Sequence, residues 1–186
     1  MRKVAVFGNA GGGKSTLSRR LAEITGLPLF PLEIIQFREG RYWPGEKDGG
    51  KVSDEEYLNI HKDILNRDEW IVDGYDNVAW AWERFAAADT LIYIDLPLVT
   101  HYERVTTRFI KGLLRNPEGW PENSPIWRST MSGYKVIFLC HRHLTPKYRQ
   151  LVADASSTKR VHHLKSPSAM TAFLRTVEQE HKHRSR

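Results

Sequence analysis

Residues 4–16 read Val4-Ala5-Val6-Phe7-Gly8-Asn9-Ala10-Gly11-Gly12-Gly13-Lys14-Ser15-Thr16. The four apolar residues, bounded by Arg2 and Lys3 on one side and Gly8 on the other, read as a buried parallel strand. After the glycines, Leu17, Leu21 and Ile24 recur at helical spacing with Arg19 and Arg20 on the opposite face, until Gly26 and Pro28 stop the helix. Between strand and helix, residues 8–15 match the pattern G-x-x-x-x-G-K-[ST] in the context that pattern requires.

A loop that wraps a phosphate must aim successive backbone N–H groups inward, which takes angles and close approaches that a Cβ obstructs. Gly8, Gly11, Gly12 and Gly13 supply that freedom, and the helix opening at Lys14 aims its positive end at the anion. Lys14 is expected to reach the β- and γ-phosphates as a point charge, the Ser15 hydroxyl to ligate Mg²⁺, and Thr16 to support the α-phosphate. The expected ligand is a purine nucleoside triphosphate, ATP with magnesium.

Working outward, residues 27–32 form a short strand broken by two prolines, and residues 38–50, rich in Gly, Pro, Arg and Lys, read as an exposed loop. Ser53-Asp54-Glu55-Glu56 has the capping-box form and starts a helix through Tyr57, Ile60, Ile64 and Leu65. Residues 70–74 and 90–95 are two further strands, each ending near a carboxylate, Asp73 and Asp95. Asn77 can cap the helix between them, which carries Val78, Trp82 and Phe85 toward the core.

Leu96-Pro97 precedes a helix with His101, Arg104, Val105 and Arg108, and residues 111–125 hold too many Gly and Pro for a core element, so they read as a lid. Residues 126–143 return to a helical pattern, and Thr145-Pro146 offers a cap and first residue for another helix. A last strand over 159–164 and a closing helix over about 168–180 complete the chain. Alternating strands and helices imply right-handed crossovers and a parallel sheet covered on both faces, a three-layer α/β domain.

With 186 residues and 40% hydrophobic composition, the chain suits one domain, residues 1–186. No apolar run approaches the roughly 20 residues of a bilayer span, and the N-terminus enters a strand directly, so a soluble cytosolic protein is expected. The lone Cys140 suits a reducing compartment; a metal site with His141 and His143 is disfavoured, because such neighbours rarely converge without a fourth ligand. Lys and Arg number 28 against 22 Asp and Glu, a net charge of +6 that favours anionic partners, nucleotides and nucleic acids alike. The run from His181 to Arg186 reads as a solvated basic tail.

No Asn-Lys-x-Asp guanine motif occurs, and the chain is short for a transport ATPase, which leaves the small-molecule kinases. The phosphate loop followed by Leu17-Ser18-Arg19-Arg20-Leu21-Ala22, then Leu27-Pro28-Leu29, Trp43-Pro44-Gly45, residues 70–75 and residues 88–97 resembles the adenylate-kinase-related proteins often labelled DNA topology modulation proteins. The resemblance runs over nearly the whole chain, and it implies a nucleoside-monophosphate-kinase-like core. It places Asp73-Gly74-Tyr75 where adenylate kinases carry a strand-end Asp-Gly before an aromatic residue, and so implies Asp73 as the magnesium-side carboxylate, with Asp95 as competitor. Related proteins usually carry an Asp after the second strand; here Glu33 stands instead, able to orient an acceptor hydroxyl or act as general base.

Phosphoryl transfer spreads charge over equatorial oxygens, and arginines brought over them by a lid stabilise it. Arg104 and Arg108 share a helical face before the lid, Arg115 lies in it, and Arg128 and Arg142 follow, a disposition resembling adenylate-kinase lid arginines. By the same resemblance Ser166-Pro167-Ser168 would hold adenine, while Trp80 and Trp82 read chiefly as core bulk. The expected activity is transfer of the γ-phosphate to a small acceptor, either a nucleoside monophosphate or a hydroxylated metabolite. A nucleotide-responsive regulator that binds DNA is the rival, supported by charge and family label but by no helix-turn-helix, zinc or aromatic-basic signature.

Overall fold

The computed structural model describes residues 1–42, 48–74, 78–112 and 126–184. Its elements in order are β1 (Lys3–Gly8), α1 (Lys14–Thr25), β2 (Leu29–Pro31), α2 (Leu32–Ile35), α3 (Asp54–Asn66), β3 (Trp70–Asp73) and α4 (Val78–Ala87). There follow β4 (Thr90–Ile94), α5 (Leu98–Gly112), α6 (Ile126–His143), α7 (Thr145–Ala155), β5 (Arg160–Leu164) and α8 (Pro167–Arg184). The five strands pair in parallel in the order β2-β3-β1-β4-β5. This is the three-layer α/β architecture expected from the alternation of elements.

The central strands β1, β3 and β4 are largely apolar because helices cover both faces, and alternate residues feed two separate cores, while the edge strand β5 carries Arg160, His162 and His163. Ala5, Phe7, Val72, Leu91 and Tyr93 pack on one side with Tyr57 and Ile64 of α3, Phe85 of α4 and Tyr148 of α7. Phe7 is the hub of that side, with ring centroids 4.4 Å from Phe85, 5.2 Å from Tyr93 and 5.1 Å from Tyr148. On the other side Val4, Val6, Ile92 and Ile94 meet Leu17 and Leu21 of α1 and Phe173 and Val177 of α8.

The strand order matters for function. After β1 the chain visits the β2–β3 side, then crosses to β4 and β5, which sets a topological switch point at the carboxyl ends of the strands, where such sheets bind ligands. The register sets Val6 beside Asp73 and Gly8 beside Ile94, and Pro31 beside Asp73. Gly8, Asp73 and the turn into α2 are thereby delivered to one rim.

Several boundaries differ from the sequence reading. The second strand keeps three residues, Leu29–Pro31, because Pro31 ends it and Leu32, fully buried, starts a helical turn. Thr145 is the first residue of α7 rather than its cap, a place taken by Leu144. The closing helix begins at Pro167 and runs through most of the expected basic tail to Arg184. Ser53 caps α3 as expected, accepting a 3.1 Å hydrogen bond from the Glu56 amide. The lid, of which Lys111 and Gly112 still belong to α5, otherwise lies outside the described residues with Arg115, as do Trp43-Pro44-Gly45, Tyr75, Asn77 and the side chains of Val78 and Arg128.

Gly8 closes β1 at φ 143°, and a Cβ there would stand 2.3 Å from the Ile94 carbonyl oxygen of β4. Neither backbone can yield without breaking the β1–β4 ladder. Gly8→Ala is therefore expected to lower unfolding free energy by about 3 kcal/mol in urea denaturation followed by circular dichroism.

Candidate active site

The loop between β1 and α1 is built almost wholly from backbone. Gly11 and Gly13 adopt left-handed angles, φ 71° and 88°, and Gly13 sits at the N-terminus of α1. No side chain caps that helix, and its first turn contains no acidic residue. The N–H groups of the first turn and the positive end of the helix dipole are thus left to an external anion.

Lys14 is only 6% exposed and donates from Nζ to the Asn9 carbonyl at 3.1 Å. A buried ammonium whose acceptor is a neutral carbonyl is poised for an anionic partner. Ser15 is half-buried and Thr16 exposed, both on the first turn of α1. Asn9 ties the loop to the neighbouring helix: its Nδ2 donates to the Ile137 carbonyl of α6 at 3.0 Å, and its Oδ1 accepts from the Ala10 amide at 2.8 Å.

Asp73, at the end of β3, is 1% exposed. Burial first, and the Glu33 carboxylate second, push its pKa up to about 6; Lys14 and the hydroxyls of Ser15 and Ser18 pull the other way without matching those effects. Among the described residues, Asp73 Oδ2 and Ser18 Oγ nonetheless lack a hydrogen-bond partner of good geometry. A buried carboxylate oxygen without a donor, beside a serine hydroxyl at the mouth of a phosphate loop, is the hard-oxygen donor set that suits Mg²⁺. The next residue, Gly74, has φ 118°, and a Cβ there would come within 3.0 Å of Leu32 Cβ, so the tight seat of α2 against β3 requires glycine.

Glu33 on α2 is half-buried and influences both Asp73 and Arg108, which joins residues from β3, α2 and α5 in one electrostatic cluster. Burial holds the Arg108 guanidinium pKa below its usual value, while Glu33 opposes that shift. Arg104, one turn earlier on α5, donates from Nη1 to the Gly12 carbonyl at 2.9 Å. Gly8, Gly11, Gly12, Gly13, Lys14, Ser15, Asp73, Glu33, Arg104 and Arg108 are thus linked through one rim of the sheet.

Asp95 has a different occupation. Arg149 chelates it through Nε at 2.8 Å and Nη2 at 3.0 Å, and His163 Nε2 lies 2.9 Å from its Oδ2. Although burial works against ionisation, these partners hold its carboxyl below the usual range. Its oxygens are engaged by the α7 and β5 side chains, in contrast to Asp73 Oδ2.

The remaining sequence candidates separate in space. Trp80 and Trp82 pack against Tyr57 and Phe85, each at 5.2 Å between ring centroids, as core bulk. Cys140 is buried with its thiol pushed up to about 11 by desolvation, while His141 and His143 are exposed, and the three form no metal-holding group among the described residues. Arg142 is an exposed residue in the last turn of α6. Ser166 precedes α8, where its Oγ accepts from the Ala169 amide at 3.1 Å, and Met170 Cε lies 3.4 Å from where a Gly13 Cβ would stand, which brings this turn beside the phosphate loop. Asn9 and His101 were not legible as site residues, since a loop filler and a helical histidine carry no pattern of their own.

No family model matches the sequence, and no curated protein does. Among solved structures the fold is similar to shikimate kinase from Acinetobacter baumannii in complex with shikimate, at 17% identity and TM-score 0.59 over 97% of this chain and 92% of that one. It is also similar to a gluconokinase from Sinorhizobium meliloti 1021, at 14% identity and TM-score 0.50 over 98% of this chain and 92% of that one. Similarity at these identities shows a shared three-layer parallel fold, and it lends no support to the DNA-topology label.

The raised pKa of Asp73 has a measurable sign. The folded protein retains a proton on Asp73 that the unfolded chain has released, so stability falls as pH rises from about 4 through about 6 and stays reduced above it. At roughly 1.4 kcal/mol per pKa unit, Asp73→Asn in EDTA is expected to be about 2–3 kcal/mol more stable than wild type at pH 7.5, the gap closing toward pH 4. Urea melts across that range check it.

Proposed function

We propose that this protein is an ATP-dependent kinase that transfers the γ-phosphate to a hydroxyl of a small metabolite. The observation that carries this reading is the convergence of Lys14, at an uncapped helix start, with the partnerless Asp73 oxygen and Glu33 on one rim. The glycine loop and Lys14 hold the triphosphate, with adenine placed toward the turn at Ser166-Pro167-Ser168. Ser15 and Asp73 are the residues that would hold Mg²⁺, which supplies charge neutralisation across the β- and γ-phosphates when bound.

Glu33 accepts the proton of the acceptor hydroxyl, whose oxygen forms a bond to the γ-phosphorus as the bond from that phosphorus to the β–γ bridging oxygen breaks. ADP leaves with the former bridging oxygen. Arg108, beside Glu33, places positive charge where the equatorial oxygens gain negative charge, and Arg104 supports the loop from behind through the Gly12 carbonyl.

The carboxylates also bear on the acceptor. A nucleoside monophosphate presents an already ionised phosphate, which needs no base and is repelled by Glu33 and Asp73. A neutral hydroxyl needs a base and meets no such repulsion. The fold neighbours shikimate kinase and gluconokinase are by name kinases for hydroxylated acids, which agrees with the same class.

A coupled assay of ADP release, run over sugars, sugar acids, cyclic hydroxy acids and nucleoside monophosphates, tests the reading. Turnover with a hydroxylated metabolite should vanish in Lys14→Ala, and Glu33→Gln should lower kcat by roughly 10²-fold or more with little change in KM for ATP. Phosphorylation confined to nucleoside monophosphates would refute the acceptor assignment, and undiminished turnover in Lys14→Ala would refute the kinase.

A further inference from the structure

A loop that turns its N–H groups toward an anion turns its carbonyls away, and each buried carbonyl then requires a donor. In this loop the Asn9 carbonyl accepts from the Gly12 amide at 3.2 Å and from Lys14 Nζ at 3.1 Å, and the Gly13 carbonyl accepts from the Leu17 amide at 3.0 Å. Two further donors come from outside, from one face of α5. His101 Nδ1 lies 2.8 Å from the Ala10 carbonyl, and Arg104 Nη1, one turn on, lies 2.9 Å from the Gly12 carbonyl.

His101 is 2% exposed, too deep for water to replace it. A carbonyl oxygen only accepts, so a ring that bonds Ala10 carries a proton on Nδ1, and the Leu96 carbonyl is a second acceptor near the same ring. The loop backbone runs close against α5: a Cβ on Gly11 would meet the His101 carbonyl oxygen at 2.9 Å and Val105 Cγ2 at 3.0 Å, while one on Gly12 would stand in ordinary contact with His101 Cε1 at 3.5 Å. The buried ring lies against the loop, and it faces the positive charges of Lys14 from α1 and Arg104 from α5.

We propose that His101 is a positioning residue for the phosphate loop, its Nδ1–H holding the Ala10 carbonyl outward so that the adjoining backbone N–H groups stay turned toward the nucleotide phosphates. This rests on the nucleotide-binding reading above. Without that donor the Ala10 peptide is released to rotate, the fraction of molecules with a competent loop falls, and the apparent affinity falls by the same factor. Because His101, Arg104 and Arg108 occupy successive turns of α5, the helix that leads toward residues 113–125 also holds the loop and bears on Glu33.

Two measurements test this role. ¹⁵N-histidine NMR of the wild-type protein should show a buried imidazole protonated at Nδ1; a ring bare at Nδ1 would overturn the proposal. Fluorescent N-methylanthraniloyl-ADP is then titrated against wild type, Lys14→Ala, His101→Asn and His101→Gln, with circular dichroism reporting on folding. Asn places its amide nitrogen where Nδ1 stands and should bind within about threefold of wild type, whereas Gln reaches the Nε2 position and should bind at least about tenfold more weakly. Equal affinities for the two folded amide variants would overturn the role of His101 while leaving nucleotide binding intact. A wild type that fails to take the nucleotide would overturn both readings, and if neither variant folds, the tautomer of the wild-type ring decides between support and refutation.

Discussion

The structure turns on the seating of one glycine-rich loop between a strand and a helix that are far from it in sequence. Gly8 runs against the backbone of β4, Gly11 against the backbone of α5, and neither approach tolerates a side chain. Everything around the loop is arranged by those contacts: the central place of β1 in the sheet, the turn through Leu96 and Pro97 that launches α5, and the donors which satisfy the outward carbonyls. A glycine-rich loop of this kind is preorganised by its surroundings, since glycine alone would leave it with many conformations that a ligand would have to select against.

The charged groups at the rim carry a cost that the fold does not recover by itself. Asp73 is fully enclosed, raised in pKa and left with an unpartnered oxygen, and Lys14 is buried against neutral carbonyl oxygen. Both conditions oppose stability in the isolated chain and are relieved by ligands of opposite charge. Such local destabilisation at the mouth of the sheet, set among two well-packed apolar cores, is the usual mark of a site shaped by function instead of by folding.

Asp95 makes the contrast. It follows the strand next to β1, as Asp73 ends the strand on the other side, and in chemical type the two are equivalent. Arg149 and His163 complete the hydrogen bonding of Asp95, so it reads as an anchor of α7 and β5 to the sheet. What separates the two carboxylates is the company each keeps.

Local sequence determined the strands, the helices and the loop. Val4 to Phe7 is too short and apolar to be anything but a buried strand once glycines follow it, and the 3.6-residue spacing of Leu17, Leu21 and Ile24 specifies the next helix. The Ser53 cap and the glycine-lysine-serine run were legible for the same reason, because they depend on neighbours within a few residues. Tertiary structure alone decided which carboxylate stands open, why Glu33 and Arg108 share one cluster, and that His101 reaches a carbonyl 91 residues away. Those outcomes depend on strand order and on which helix face meets the loop, and residues so distant in the chain leave no periodicity or spacing from which their contact can be read.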